Sequence, residues 1–197
     1  MSRIAGVVLA AGGSKRMGVP KQLLALEGAS LVRRAARVVL ASRCDDVFVV
    51  VGAHAAEVTK EIDDLAVRVL ENRRWHEGLA SSIRTAVTAA GALPQPAVDA
   101  ILLTLVDQPA VGPALLDQLI AALENAPAGL VAAEYAGTIG APALFARRHF
   151  RALLALSGDR GGKSILAAHG AAVVTIPFPE GVFDIDTPAD LERVCKR

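Results

Sequence analysis

Runs of apolar residues alternate with longer amphipathic segments through the first half of the chain. Four short runs rich in β-branched residues predict strands: IAGVVLA, VFVVVGA, VRVLEN and ILLTLVD. Because nearly every position in these runs is apolar, we expect parallel strands that are covered on both faces. This pattern predicts an α/β fold with three layers and a doubly wound, mostly parallel sheet.

Amphipathic segments between the runs predict the covering helices. SLVRRAARVVLAS places apolar residues on one face and arginines on the other, and Ser30 is expected to cap its start. SSIRTAVTAAGAL repeats this pattern, with Ser81 or Ser82 as the expected cap and Gly91 near the end. The first 107 residues therefore predict four βα units.

After Pro109 the pattern changes, and we expect an α+β extension of the same sheet. LLDQLIAALENA predicts a helix, GLVAAEYAGTIGAPALFA predicts two strands around a glycine-rich turn, and RALLALSGDRGGKSILAAHG predicts two short helices around a loop. No repeat, low-complexity linker or run of charges divides the sequence, so we expect a single domain over residues 1–197.

Composition excludes several classes of protein. A chain of 197 residues with 53% hydrophobic residues can bury one substantial core. Its net charge of +1 gives no global attraction for nucleic acid. The start resembles no signal peptide, no apolar stretch approaches about 18 residues, and Cys44 and Cys195 lie far apart. We expect a cytoplasmic protein with reduced thiols and neither a nucleic-acid nor a membrane partner.

The loop after the first predicted strand combines two glycines with three positively charged side chains. LAAGGSKRMGVPKQLL, residues 9–24, contains Gly12 and Gly13 and then Lys15, Arg16 and Lys21. Glycines let backbone N–H groups approach a phosphate, and the cations add charge-assisted hydrogen bonds. In open parallel sheets ligands bind beyond the carboxyl ends of the strands. The loop therefore predicts an anion cradle, the alternative being a glycine turn with solvated cations.

Two common phosphate motifs do not fit this loop. The pattern GxGxxG is absent because Gly12 and Gly13 are adjacent. A P-loop would need Lys and Ser or Thr where Val19 and Pro20 stand. The later GDRGGKS is one residue too short for a P-loop, and no predicted strand precedes it. The cradle is thus neither a dinucleotide fingerprint nor a Walker motif.

The loop resembles the signature of the MobA-like nucleotidyltransferases, through LAAG, the RMG triplet and the lysine that follows. Further matching stretches are WHEGLASSI, LVDQP, GAPALF, LSGDRGGKSIL and DIDTPADL. The resemblance implies a Rossmann-like fold of the nucleotide-diphospho-sugar transferase type. It also implies a nucleotide-binding half at residues 1–109 and an acceptor-binding half at residues 110–197. The chain is most similar to the molybdenum cofactor cytidylyltransferase branch.

By this resemblance the first loop binds a nucleoside triphosphate, with Arg16 and Lys21 on its phosphates. The residues then expected to bind the nucleotide are Leu9, Ala10, Ala11, Gly12, Gly13, Ser14, Asn72, Gly78 and Ser82. LAAG, where guanylyl-transferring members tend to have LAGG, favours CTP over GTP. Gly13 departs from the branch, which more often has a bulky or charged residue there. Trp75 could stack on a ring or pack in the core.

Two carboxylate positions predict a cation site. Asp107 follows a buried strand and could bind Mg²⁺ or cap the helix near Pro113. Asp184 and Asp186 are two apart, so both would point to one side of an extended segment, although Asp186 or Thr187 could instead cap the last helix. The resemblance favours metal ligation by Asp107 and Asp186, with Asp184 as the second choice.

The resemblance also implies an acceptor and a reaction. GDRGGK offers Asp159, Arg160 and Lys163 to a molybdopterin-type acceptor, although from the residues alone a solvated loop fits as well. No Ser/His/Asp or Cys/His grouping is evident. Catalysis by Arg16, Lys21 and Asp107 would therefore be electrostatic, moving CMP from CTP to the acceptor with release of pyrophosphate.

Other readings remain open at this point. The chain could transfer GMP to molybdopterin, or a nucleotide to a sugar or polyol phosphate. A molybdoenzyme or its chaperone could be a partner, and the chain could be a nucleotide-binding partner of a molybdoenzyme without activity of its own.

Overall fold

The computed structural model describes residues 2–14 and 17–195, and β-strands form its centre. The strands are β1 (Ile4–Ala10), β2 (Ala25–Leu26), β3 (Ala29–Ser30), β4 (Asp46–Val51), β5 (Arg68–Glu71), β6 (Ala100–Leu105), β7 (Leu130–Tyr135), β8 (Thr138–Ala146) and β9 (Val174–Pro177). The helices are α1 (Leu31–Leu40), α2 (Ala55–Lys60), α3 (Leu79–Gly91), α4 (Pro113–Ala122), α5 (Phe150–Leu154), α6 (Lys163–His169) and α7 (Pro188–Cys195). Short 3₁₀ turns join several of them, including Lys21–Leu23 and Trp75–Glu77.

Within the described residues, the main sheet has seven strands in the order β5-β4-β1-β6-β8-β7-β9. All neighbours pair in parallel except β8, which is antiparallel to both β6 and β7. β2 and β3 form a small separate hairpin. The doubly wound, mostly parallel sheet predicted from the apolar runs is confirmed.

Helices cover both faces of the sheet and bury two apolar layers. One layer holds buried side chains of α1, α2 and α4, and the other holds those of α3, α5 and α6. Successive residues of β1 alternate between them: Val8 lies in the first layer, and Val7 and Leu9 lie in the second. Since every β1 residue is buried, this strand carries the loop that follows it on a rigid base.

The predicted boundaries of the helices hold in part. Ser30 caps α1, since its side chain accepts a hydrogen bond from the backbone N–H of Arg33 at 3.4 Å. The prediction that Ser81 or Ser82 caps α3 is wrong, because the helix begins at Leu79 and both serines lie inside it. The pattern also missed α2 and β9, two short elements.

None of the helices in the described ranges is both long and apolar enough to cross a bilayer. Cys44 is a free thiol, and burial raises its pKa to about 11.

Candidate active site

A cavity of about 650 Å³ opens where β1, β5 and β6 end. Its walls come from the loop after β1, the turn and helix start after β5, and the residues after β6. This is the carboxyl edge of the parallel strands, where ligands bind in open α/β sheets. The volume suits a nucleotide-sized molecule.

The shape of the loop after β1 depends on Gln22, a residue that the sequence analysis did not select. Gln22 is fully buried, and its Nε2 donates to the backbone oxygens of Ala10 at 2.9 Å and Gly12 at 2.6 Å. Its Oε1 accepts from the Ser14 hydroxyl at 3.2 Å, and the Ser14 Oγ accepts from the backbone N–H of Lys21 at 2.9 Å. Gln22 thus ties both ends of the loop together.

Lys21 joins the loop to two carboxylates. Its Nζ lies 2.5 Å from Asp107 Oδ2 and 3.0 Å from Asp186 Oδ1. Burial lowers the pKa of Lys21, but the charges and hydrogen bonds of Asp107 and Asp186 together outweigh it and raise that pKa above its ordinary value. The ammonium therefore stays charged at neutral pH.

Two contacts bring Asp186 to Asp107 from almost eighty residues further along the chain. The backbone N–H of Ile185 donates to the backbone oxygen of Asp107 at 2.9 Å. Thr187 and Asp190 form a reciprocal cap at the start of α7: the Thr187 N–H and hydroxyl donate to Asp190, and the Asp190 N–H donates to the Thr187 hydroxyl. Since Thr187 takes the capping role, the Asp186 carboxylate is left to pair with Lys21.

Asp107 has the features of a cation ligand. Its Oδ1 is buried and has no hydrogen-bond partner within the described residues. Helix α4 begins at Pro113 after Gly112, so Asp107 does not cap it. The described residues hold no group of three or more His, Cys, Asp or Glu arranged around a metal. Two carboxylates with phosphate oxygens from a substrate suffice for Mg²⁺, so these residues fit such a cation.

Asp184 does not share the cavity with Asp186. It lines a separate, smaller cavity beside α7, so the predicted pair of carboxylates on one side does not form there. Burial, and then the negative charges of Asp107 and Asp186, raise the pKa of Asp184 to about 6.

The start of α3 forms another wall of the cavity. Asn72 is buried behind this wall, and its Nδ2 donates to the hydroxyls of Ser81 at 2.8 Å and Ser82 at 3.0 Å. Ser82 lines the cavity, whereas Asn72 does not. Asn72 therefore orients the serines from behind the wall.

Trp75 packs against the core layer of α3, as one of the two sequence alternatives predicted, and it also lines the cavity. A β-carbon built on Gly13 would lie 3.0 Å from Cζ3 of the Trp75 ring. A side chain at position 13 would therefore press on the ring, which explains why glycine fits here.

The loop between α5 and α6 meets α3 at Gly78. Gly78 has φ +97°, and a β-carbon there would lie 2.5 Å from Asp159 Oδ1 and from the backbone oxygen of Gly158. The Ala80 N–H donates to the same Gly158 oxygen at 3.1 Å. Asp159 thereby joins the cavity wall.

Comparison with known proteins assigns the family. The family described as MobA-like NTP transferase domain matches residues 6–173. This chain belongs to that family. The match includes every cavity residue discussed above except Asp186, which lies beyond it.

Two known proteins are similar to this chain over most of their length. Nicotine blue oxidoreductase of Paenarthrobacter nicotinovorans is 32% identical over 173 residues, covering 83% of this chain and 81% of that protein. Purine catabolism protein PucB of Bacillus subtilis (strain 168) is 30% identical over 204 residues, covering 96% and 94%.

Among solved structures, Rv0371c from Mycobacterium tuberculosis H37Rv superposes with a TM-score of 0.83 at 30% identity, covering 100% of this chain and 99% of that chain. A manganese complex of Rv0371c gives a TM-score of 0.77 at 28% identity, with 99% of each chain covered. These similarities agree with the nucleotide-diphospho-sugar transferase type of fold.

Most of the residues selected from the sequence meet in this MobA-like cavity. Those that line it are Leu9, Ala11, Gly12, Gly13, Ser14, Lys21, Gly78, Ser82, Asp107, Asp159 and Asp186. Ala10 lies just behind it and accepts from Gln22, while Arg160 and Lys163 are exposed and do not line it. Lys15 and Arg16 lie outside the described residues.

Some lining residues were missed by the sequence analysis, and they are Met17, Gln22, His76, Leu79, Leu105 and Val106. Their neighbours carried the stronger chemical signal. Gln22 could have been noticed as a polar residue directly after Lys21 in an otherwise apolar segment.

Proposed function

We propose that this MobA-like protein transfers CMP from CTP to a molybdopterin-type acceptor and releases pyrophosphate, with Mg²⁺ as cofactor. One observation carries the proposal. A single cavity joins a glycine-rich loop, a charged lysine and two carboxylates, and one carboxylate has a buried oxygen with no hydrogen-bond partner among the residues that the structure describes. These are the groups that nucleotidyl transfer requires, because its catalysis is mainly positioning and charge stabilisation.

In the proposed reaction an oxygen of the acceptor phosphate attacks the α-phosphorus of CTP in line. The new P–O bond forms as the bond from the α-phosphorus to the bridging oxygen breaks, and pyrophosphate leaves with that electron pair. Lys21 and Arg16 would bind the negative charge that develops on these oxygens. No protein nucleophile is needed, since the acceptor itself supplies the attacking atom.

Asp107 and Asp186 would hold the cation, which would neutralise charge on the triphosphate. Asp107 Oδ1 supports this role, because it is buried and accepts no hydrogen bond from residues 2–14 or 17–195. The manganese complex of Rv0371c supports the use of a divalent cation in a relative. Asp184 is the weaker candidate because it lines a different cavity.

Residues of the cavity wall support the proposed base and acceptor. Ala11 and Gly12 in LAAG support CTP, with GTP as the alternative, and the cavity brings Ser82 to the same region. Asp159 would meet the acceptor at the cavity, while the exposed Arg160 and Lys163 would attract its phosphate from outside. A cytoplasmic location and delivery of the product to a molybdoenzyme or its chaperone belong to the same proposal.

Pyrophosphate release tests the proposal directly. The protein is incubated with molybdenum-loaded molybdopterin, a sugar phosphate or a polyol phosphate as acceptor and with CTP, GTP, ATP or UTP, once with Mg²⁺ and once with a chelator. We expect release with CTP and Mg²⁺ only. Release with GTP would replace CMP by GMP transfer, and release only with a sugar or polyol phosphate would replace the acceptor. If the protein binds nucleotide but releases no pyrophosphate with any acceptor, it is a non-catalytic nucleotide-binding partner of a molybdoenzyme.

Asp107→Asn provides the matched variant for the same assay. It keeps the size of the side chain but removes the charge, so we expect turnover to fall at least about 100-fold. Asp63→Asn makes the same change at an exposed position outside the cavity and should leave turnover unchanged. Equal activity of wild type and Asp107→Asn would remove the cation assignment.

A further inference from the structure

Lys21 occupies the position between two carboxylates that a divalent cation would need. Its Nζ lies 2.5 Å from Asp107 Oδ2 and 3.0 Å from Asp186 Oδ1. Mg²⁺ requires carboxylate oxygens at about 2.0–2.1 Å in a nearly octahedral arrangement. An ammonium at hydrogen-bond distance from both oxygens therefore blocks this position and repels a second positive charge.

The three charges are sheltered enough for this repulsion to matter. The side chains of Lys21, Asp107 and Asp186 retain only 16%, 17% and 33% of their exposure. Water screens charges less in such a place than at an open surface. The lysine thus neutralises part of the charge that would attract a free cation.

Lys21 can nevertheless leave the carboxylates without disturbing the loop. Its backbone N–H is fixed by the Ser14 Oγ at 2.9 Å, whereas its four-carbon side chain can rotate. The backbone of Gly12 and Gly13 lines the same cavity. Phosphates bound on this backbone would give the ammonium new anionic partners and would add oxygen ligands for a cation.

We propose that Lys21 is an internal counter-cation that releases Asp107 and Asp186 only when a triphosphate enters. Nucleotide and divalent cation then bind as a mutually dependent pair, and the cation alone binds weakly. This inference rests on the proposed nucleotide site but not on the identity of the base or of the acceptor.

Binding of Mn²⁺, measured by electron paramagnetic resonance without nucleotide or acceptor, tests the exchange. Lys21→Met removes the charge and keeps much of the side chain. We expect it to bind Mn²⁺ at least about tenfold more tightly than wild type, because the positive charge between the two carboxylates is gone. Lys60→Met, at an exposed site outside the cavity, should bind as wild type does. Adding Asp107→Asn to Lys21→Met should abolish the gain.

A second measurement uses wild type alone and so does not depend on the folding of a variant. Saturating CTP should tighten Mn²⁺ binding, and Mn²⁺ should tighten CTP binding by the same factor. In Lys21→Met this mutual effect should shrink. The exchange is wrong if wild type binds Mn²⁺ equally well with and without CTP. It is also wrong if Lys21→Met, shown to be folded by circular dichroism, binds Mn²⁺ no more tightly than wild type.

These outcomes are separable from failure of the proposed function. If Mn²⁺ binding follows the pattern above but no acceptor yields pyrophosphate, the exchange stands and the transferase proposal fails. If pyrophosphate is released but neither CTP nor the Lys21→Met substitution changes the affinity for Mn²⁺, the transferase proposal stands and the exchange fails.

Discussion

Asp184 lies close enough to Asp107 and Asp186 for their charges to act on it. Burial first, and then those charges, raise its pKa from 3.8 to about 6. The folded protein therefore holds the Asp184 proton more tightly than the unfolded chain does. Ionisation of this residue opposes folding, so its effect on the free energy of unfolding is absent near pH 4 and complete above pH 6.

We expect Asp184→Asn to stabilise the protein at pH 7 and to have little effect at pH 4. The gain should not exceed about 1 kcal/mol, because Asp184 is partly exposed and solvent screens its charge. Urea unfolding with a chelator present, at several pH values between 4 and 7, measures it. Asp63→Asn is the exposed control, and a gain that does not grow with pH would refute the electrostatic explanation.

Gln22→Met keeps the volume of a buried side chain but removes its amide. The backbone oxygens of Ala10 and Gly12 then lose their donor, which should lower the free energy of unfolding by about 1–3 kcal/mol. Because the loop also loses its shape, the kcat of pyrophosphate release should fall in protein that is still folded. The exposed Gln118→Met should change neither quantity. A Gln22→Met variant with a lower melting temperature but unchanged kcat would show that Gln22 serves only the fold.

At the scale of elements, the start of α3 shows why the sequence predicted strands better than helix ends. Strands β1, β4 and β6 were predicted because buried parallel strands are largely apolar, and the shorter β5 at the edge of the sheet is only partly buried. The start of α3 was misplaced because Gly78 precedes it without a capping side chain. Its Ala80 N–H instead donates to Gly158, a partner about eighty residues away that no local pattern reveals.

Substitution of Gly78 by alanine tests this junction. The positive φ of Gly78 and the crowding against Asp159 and Gly158 should destabilise Gly78→Ala by about 1–3 kcal/mol. Gly91→Ala, at the other end of the same helix, meets no atom within 4 Å and should be neutral or slightly stabilising. Thermal unfolding of both variants measures the difference, and equal melting temperatures would mean that the loop adapts freely.

For the whole molecule, the candidate site depends on the return of the last segment to the sheet. Ile185 is fully buried, and its backbone N–H donates to Asp107. This contact fixes the distance between the two carboxylates that Lys21 joins. The cavity is therefore a product of chain topology as much as of the loop motif.

Ile185→Ala should lower the free energy of unfolding by about 2–5 kcal/mol through loss of buried apolar volume. It should also lower turnover, since Asp186 follows directly in the chain. Val182→Ala removes apolar volume three positions earlier, where the side chain is 47% exposed, and should change stability by less than about 0.5 kcal/mol. Full turnover in folded Ile185→Ala protein would separate the anchoring of this segment from the site.

The sequence located the candidate site through local signals and missed what only folding brings together. Gly12, Lys21 and Asp107 stand next to strand ends, so their common edge was predictable. The pairing of Lys21 with Asp107 and Asp186 spans 86 and 165 positions, so no local pattern could predict it. Asp184 was assigned to the side of Asp186 by strand alternation, which does not apply because the segment between β9 and α7 is not a strand.

Trp75 is the only tryptophan of the chain, and its ring forms part of the cavity wall. The indole fluorescence of the protein therefore comes from the wall of its own candidate site. No label is needed to follow the entry of a ligand. A purified sample in a fluorimeter would report, within a single titration, which nucleotides reach that wall.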